Sequence, residues 1–150
     1  MSVDGEYEPS AWDWVREQVE RFEATDGHEA NTLFDTGYPI IVMTNRGVKS
    51  GKVRKTPLMR VEHDGEYAAI GSQGGAPKHP GWTYNLLADP HVELQDGAVK
   101  QPMIARLVEG EKRALWWQRA VAAYPPYADY QAATDRVIPV FVLSPLSQAS

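Results

Sequence analysis

Two hydrophobic periods divide this chain. Trp12, Val15, Val19 and Phe22 recur at helical spacing, with Asp13, Arg16, Glu17 and Glu20 off the stripe. That pattern predicts one amphipathic helix, capped by Ser10 and ended near Gly27. From Gly37 onward the runs shorten and read as strands: Ile40–Thr44, Thr56–His63, Glu66–Gly71, His91–Gln95, Ala98–Val108 and Ile138–Leu143. Asp64-Gly65 and Asp96-Gly97 are two-residue hairpin signals, and Pro139 marks its run as an edge strand or a strand start. Helical pieces are predicted over Trp82–Ala88, Glu111–Tyr124 (apolar stripe Ala114, Trp117, Val121, Tyr124) and Tyr127–Thr134. Strands joined by tight turns, with helices inserted late, predict a small antiparallel barrel carrying peripheral helices. Residues 1–35 would form an appended helix, a lid in function, and residues 36–150 the barrel.

Charge changes this picture. No Asp or Glu occurs from Thr36 to Val61, yet Arg46, Lys49, Lys52, Arg54, Lys55 and Arg60 all fall there. The stretch carries +6 in a chain of net charge −5, so the remaining residues carry −11. Solubility alone would intersperse the signs. A segregated basic loop holding Gly47, Ser50 and Gly51 suits a multiply charged anion, because glycines let backbone N–H groups approach it and Lys and Arg supply charge-assisted bonds. A solvated basic hairpin turn is the alternative. The acidic balance elsewhere excludes the broad basic face that nucleic acid needs. A helix with ten acids and two arginines around it, over residues 1–35, is equally unsuited to an anionic bilayer.

Other classes fall away on residue type. There is no cysteine, so disulfide scaffolds and thiol nucleophiles are excluded. His28, His63, His79 and His91 show no metal-ligand spacing, and no metal is expected. No signal-peptide pattern and no long apolar run is present, so a cytoplasmic protein is expected, with at most peripheral association at the inner face of the membrane. Two further clusters remain. Ser72-Gln73-Gly74-Gly75, directly after a strand, marks a close approach by a backbone or a flat ligand, with Trp82 and Asn85 following. Tyr124, Tyr127 and Tyr130 set three phenols at spacing three, each offering an apolar ring and a hydroxyl. Tight turns and ordinary packing would explain either cluster alone.

Taken in order, these residues resemble a known family. Gly47-Val48-Lys49-Ser50-Gly51 with Arg54, Pro57 and Leu58, then Asp64-Gly65, Ser72-x-Gly74-Gly75-Ala76, Pro80-x-Trp82-x-x-Asn85-Leu86, Ala105-Arg106, and Tyr124-Pro125-x-Tyr127-x-x-Tyr130-Gln131 through Thr134, Arg136 and Ile138-Pro139 are similar to the deazaflavin (F420)-dependent nitroreductases, also described as F420H2-dependent quinone reductases. The likeness runs from about Gly37 to Leu143.

That resemblance implies an FMN-binding-type split β-barrel and coenzyme F420, a planar 8-hydroxy-5-deazaflavin bearing a phosphodiester and an oligoglutamate tail. Lys49, Ser50 and Arg54 match phosphate-contacting positions, with Lys52 and Lys55 open to the tail. Pro57, Leu58 and Met59, and Ser72, Gln73, Gly74 and Gly75, match positions beside the ring, and Trp82 and Asn85 match further cofactor contacts. Tyr124, Tyr127 and Tyr130 match the acceptor side of the pocket. Tyr127, then Tyr130, with Ser72 nearby, would stabilise or protonate the acceptor. Gln73 replaces a common lysine and Met59 an aromatic residue of some members. The implied reaction is hydride transfer to a quinone, an enone or a nitro-aromatic acceptor, by a monomer or homodimer. An FMN-dependent reductase on the same fold, or a non-catalytic deazaflavin-binding protein, are the alternatives.

Overall fold

The computed structural model describes residue 3 and residues 5–146. Its elements in chain order are α1 (Asp13–Ala24), β1 (Ile40–Arg46), β2 (Val53–Met59), β3 (Glu62–His63), β4 (Glu66–Ile70), α2 (Gly81–Ala88), β5 (His91–Asp96), β6 (Val99–Val108), α3 (Gly110–Ala123), α4 (Pro126–Ala132) and β7 (Val140–Pro145), with a 3-10 turn at Gln73–Gly75. The strands form one antiparallel sheet in the order β2-β1-β5-β6-β7-β4-β3. Its two edges, β2 and β3, are separated in sequence only by Arg60 and Val61. Edges joined by two residues force the sheet to curl until they meet, and the Ala68 N–H donates to the Val61 carbonyl at 2.9 Å across that corner. The result is the expected split β-barrel.

Alternation along the strands fixes what lies on each face. Ile41 and Met43, Tyr67 and Ala69, Val92 and Leu94, Met103 and Ala105, and Phe141 and Leu143 meet in one cluster with Trp82 and Leu86 of α2, the inside of the curl. Their neighbours Ala68, Ile70, Val140 and Val142 point the other way, under Trp116 and Ala120 of α3 and Tyr127 of α4. Val19 and Phe22 of α1 bury against Ile40 and Val42. The first helix is therefore anchored to the barrel along its second half.

Several boundaries differ from the sequence reading. Trp12 is 66% exposed, because the helix begins only at Asp13; Ser10 Oγ accepts the Trp12 N–H at 3.2 Å instead of capping the helix proper. The α3 stripe is rotated by one residue: Trp116 and Ala120 are buried, Trp117 and Val121 flank them, and Ala114 is exposed. Two adjacent tryptophans fit two overlapping helical faces, and the contact with β4 and β7 selects one. The run Thr56–His63 is broken at the barrel corner into β2 and β3, with β2 starting at Val53 inside the basic stretch. Asp64 and Gly65 do form their hairpin turn, both at positive φ (51° and 83°) as a two-residue turn of this kind requires. The other hairpin pairs Asp96 with Val99, so its turn residues are Gly97 and Ala98. Pro139 precedes a central strand, β7, rather than an edge. No helix among the described residues is long and apolar enough to cross a membrane.

Candidate active site

The basic loop is a tight turn between β1 and β2. The Gly47 N–H donates to the Lys52 carbonyl at 2.8 Å, Gly51 N–H to the Gly47 carbonyl at 2.9 Å, and Lys52 N–H to Ser50 Oγ at 3.1 Å. A Cβ at Gly47 would stand 2.8 Å from that hydroxyl, so a larger residue there would have to displace the Ser50 side chain from its bond to Lys52. The loop is tied to α2 through Asn85, whose Oδ1 accepts the Val48 N–H at 3.0 Å and whose Nδ2 donates to Asn45 Oδ1 at 2.9 Å. Asn85 thus holds the loop while also lining the groove beside it. Among the described residues the N–H groups of Lys49 and Ser50 have no partner within the protein.

This loop walls a groove of about 790 Å³, completed by Glu8, Arg54, Thr56, Gly81, Trp82, Tyr84 and Asn85. Beside it lies a chamber of about 910 Å³ that shares Arg54, Thr56, Gly81 and Trp82 with the groove. Pro57, Leu58 and Met59 of β2 line one side of the chamber, Ser72, Gln73 and Gly74 a second, and Tyr124, Tyr127 and Tyr130 a third; Trp12, Trp14, Val15 and Phe34 stand at its α1 side. Volumes of this size each accommodate a drug-sized ligand. A charged groove therefore adjoins a largely aromatic and apolar chamber.

Most residues singled out in the sequence converge here, and three do not take the place expected of them: Gly75, Lys55 and Lys52, the last of which lines neither space. Gly75 lines neither space; at φ +81° it packs against the backbone of Tyr130, where a Cβ would stand 3.0 Å from the Tyr130 carbonyl oxygen. Gly74, at φ +64° with nothing within 4 Å of a built Cβ, is the glycine that opens onto the chamber. Lys55 reaches the chamber wall, but its ammonium is committed to Glu23 at 2.6 Å and lies over the Tyr7 ring.

Sequence reasoning gave Arg136 no role, and the structure makes it the fastener of the glycine loop. Its guanidinium donates to the carbonyls of Gly71 (3.0 Å), Ser72 (2.6 Å) and Ala76 (2.7 Å), and to His79 Nδ1 at 2.7 Å. Burial, then the adjacent Arg136 charge, lowers the His79 pKa, which keeps that imidazole neutral and able to accept. The Ser72 wall is thereby fixed to the segment that follows the tyrosine helix. An arginine beyond an amphipathic helix gives no local signal of this, because its partners are backbone carbonyls about sixty residues away.

The three phenols pack edge to face: Tyr124 and Tyr127 at 5.0 Å and 78°, Tyr127 and Tyr130 at 6.2 Å and 77°. The Tyr124 and Tyr130 hydroxyls share a hydrogen bond at 3.1 Å, whereas among the described residues the Tyr127 hydroxyl has none. Burial first, and the bond to Tyr130 second, pushes Tyr124 up to about 12; burial and the neighbouring phenols raise Tyr127 as well. Tyr124 and Tyr127 are therefore protonated donors at neutral pH. A raised pKa in the folded state means that the unfolded chain ionises first. Stability from these groups is intact below about pH 10 and is lost as pH rises from there through about 12. The urea midpoint should fall across that interval, and Tyr124→Phe should flatten the fall; an unchanged slope would remove Tyr124 as its source.

Fold and site together define a split-barrel protein with a basic groove beside an aromatic chamber. Residues 14–145 match the family model described as F420H(2)-dependent quinone reductase. An F420H(2)-dependent quinone reductase of Mycobacterium tuberculosis is 32% identical over 109 residues, 71% of this chain and 73% of that one. A solved structure described as the F420-H2 dependent reductase FDR-A is 55% identical with a TM-score of 0.68, covering 71% of this chain and 94% of its own. A second, described as a domain-swapped dimer, is 51% identical with a TM-score of 0.71, covering 90% of this chain and 100% of its own. A FAD-binding protein from Mesorhizobium loti shares the fold alone, at 13% identity and a TM-score of 0.52 over 71% of this chain and 78% of its own. The chain belongs to the F420H(2)-dependent quinone reductase family.

Proposed function

We propose that this protein is an F420H2-dependent oxidoreductase that reduces a quinone, with activated enones and nitro-aromatics as further acceptors of the same shape. The observation that carries this reading is that the basic groove and the aromatic chamber adjoin, sharing Arg54, Thr56, Gly81 and Trp82 in their walls. The donor set fits the cofactor's phosphodiester: Lys49, two unengaged backbone N–H groups, the Ser50 hydroxyl and Arg54 face one groove. Pro57 to Met59, Ser72 to Gly74 and Trp82 offer a largely apolar seat for the ring. When bound, reduced deazaflavin supplies a hydride from ring carbon C5.

The protein's own contribution is orientation, exclusion of water and a donor for the acceptor oxygen. Tyr127 is the first candidate for that donor, since its phenol is neutral, buried and unengaged; Tyr130 and the Ser72 hydroxyl stand behind it. Residues 1–35 serve the barrel of residues 36–150 as an acceptor-side wall, anchored by Val19 and Phe22 and reaching the chamber through Trp12, Trp14 and Val15. Trp12→Ala is accordingly expected to raise the KM for a quinone several-fold at nearly constant kcat; an unchanged KM would take the helix out of the site. The relative described as a domain-swapped dimer makes homodimerisation a second arrangement beside the monomer, and the acidic first helix favours a cytoplasmic protein with no more than peripheral contact with the membrane.

The deciding experiment is to titrate the protein with F420 and with FMN, then add menadione and follow oxidation of the reduced cofactor. Tight F420 binding with acceptor-dependent oxidation is expected. Preference for FMN would reassign the groove to a flavin phosphate, and binding without turnover would leave a carrier protein.

A further inference from the structure

The basic groove is bordered by carboxylates of the chain itself. Five of the six cations of the basic stretch have a carboxylate within 4.0 Å: Arg46 with Asp89, Lys52 with Glu6, Arg54 with Glu8, Lys55 with Glu23 and Arg60 with Asp96. Two of those acids come from one short segment. Tyr7 pairs in parallel with Val53 at the open edge of β2; the Val53 N–H donates to the Glu6 carbonyl at 2.8 Å and the Glu8 N–H to the Val53 carbonyl at 2.9 Å. Alternate residues of a strand share a face and repeat at about 6.7 Å. Glu6 and Glu8 therefore have the spacing of Lys52 and Arg54, and the Tyr7–Val53 register brings them together: Glu8 Oε1 is 2.8 Å from Arg54 Nη1 and Glu6 Oε2 is 4.0 Å from Lys52 Nζ. Among the described residues Lys49 alone of the six cations lacks such a partner.

We propose that the Glu6–Glu8 strand is a built-in partner of Arg54 in the groove wall and of Lys52 just outside it, and sets this protein's discrimination among deazaflavin cofactors by the length of their glutamate tail. The inference rests on the deazaflavin reading above and goes beyond it. A tail of carboxylates leaving the phosphodiester at Arg54 needs Lys52 next, and Arg54 and Lys52 each already have a carboxylate of the chain within 4.0 Å, held in register. The inner donors, Lys49 and the Ser50 end of the loop, stay open to the phosphodiester. Affinity in the native chain is then governed by the phosphodiester and the ring and is nearly indifferent to tail length. Exposed ion pairs of this kind are weak, about 0–1 kcal/mol each, so the strand tunes selectivity without blocking the groove.

The test compares the full chain with its Glu6→Gln/Glu8→Gln variant, which keeps the backbone pairing and removes both charges. Equilibrium binding is measured for F420 with one glutamate, for F420 with a long tail, and for tetraglutamate alone. Long-tailed F420 should bind the variant about two- to tenfold more tightly than the native chain, in line with two released surface pairs. Single-glutamate F420 should change less, and tetraglutamate should gain affinity in parallel. Identical tail dependence in the two proteins would overturn the proposal. So would weaker binding by the variant, since the acids would then be orienting Lys52 and Arg54 for the ligand. If neither protein binds F420 while the variant gains affinity for tetraglutamate, the deazaflavin reading fails and the assignment of the strand stands.

Discussion

Tyr127→Phe is expected to lower kcat by about tenfold or more while leaving the deazaflavin Kd near its native value. The reasoning starts from the chamber wall. The Tyr124 and Tyr130 hydroxyls are bonded to one another, so part of their donor capacity is spent, whereas the Tyr127 phenol faces the chamber with its proton unengaged. Burial holds that phenol neutral, which makes it a donor to developing negative charge on an acceptor oxygen. Such a bond strengthens as charge develops, so its loss appears in kcat more than in binding. The ring stays in the variant and no protein partner is left unpaired, so stability should change by less than about 0.5 kcal/mol. Stopped-flow oxidation of the reduced cofactor by menadione, with a cofactor titration alongside, separates the two quantities. Full activity would reduce Tyr127 to packing and move the donor role to Tyr130 or Ser72.

Lys49→Ala should weaken cofactor binding by about ten- to a hundredfold, the consequence of losing one charge-assisted contact of roughly 1.5–3 kcal/mol. Arg54→Ala should weaken it less. Arg54 exchanges the Glu8 carboxylate for the ligand's phosphate, so part of its interaction already exists in the free protein, whereas Lys49 has no carboxylate to give up. Both losses should shrink as salt is added, because the groove is open to solvent. Melting temperatures should hold nearly constant, since exposed pairs contribute little to stability. Equal, salt-insensitive affinity across native and variant proteins would return the loop to a solvated turn.

The sequence by itself determined what local patterns can carry. Short β-rich runs identified the strands from Ile40 to the Ile138–Leu143 run, Asp64-Gly65 specified its hairpin through the positive φ that such a turn demands, and the segregation of six cations marked the basic loop that walls the groove. Side-chain period and turn chemistry act over a few residues, so one chain suffices to read them. Tyr127 and Tyr130, three apart on one helix, were legible as one face for the same reason.

What the sequence left open depends on residues far apart. Whether Trp116 or Trp117 faces the core was settled by the contact with β4 and β7, because both satisfy a helical period. That the run from Thr56 to His63 must break at Arg60-Val61 follows from barrel closure, a property of all seven strands. That Asn85 also ties α2 to the basic loop had no local signal; Arg136 had no local meaning until its partners at Gly71, Ser72 and Ala76 were brought to it. The acids opposite the basic loop were visible only as composition. Tertiary structure alone decided that Glu6 and Glu8 would lie beside Lys52 and Arg54, because strand pairing fixes a register between segments some forty-six residues apart that neither segment encodes alone.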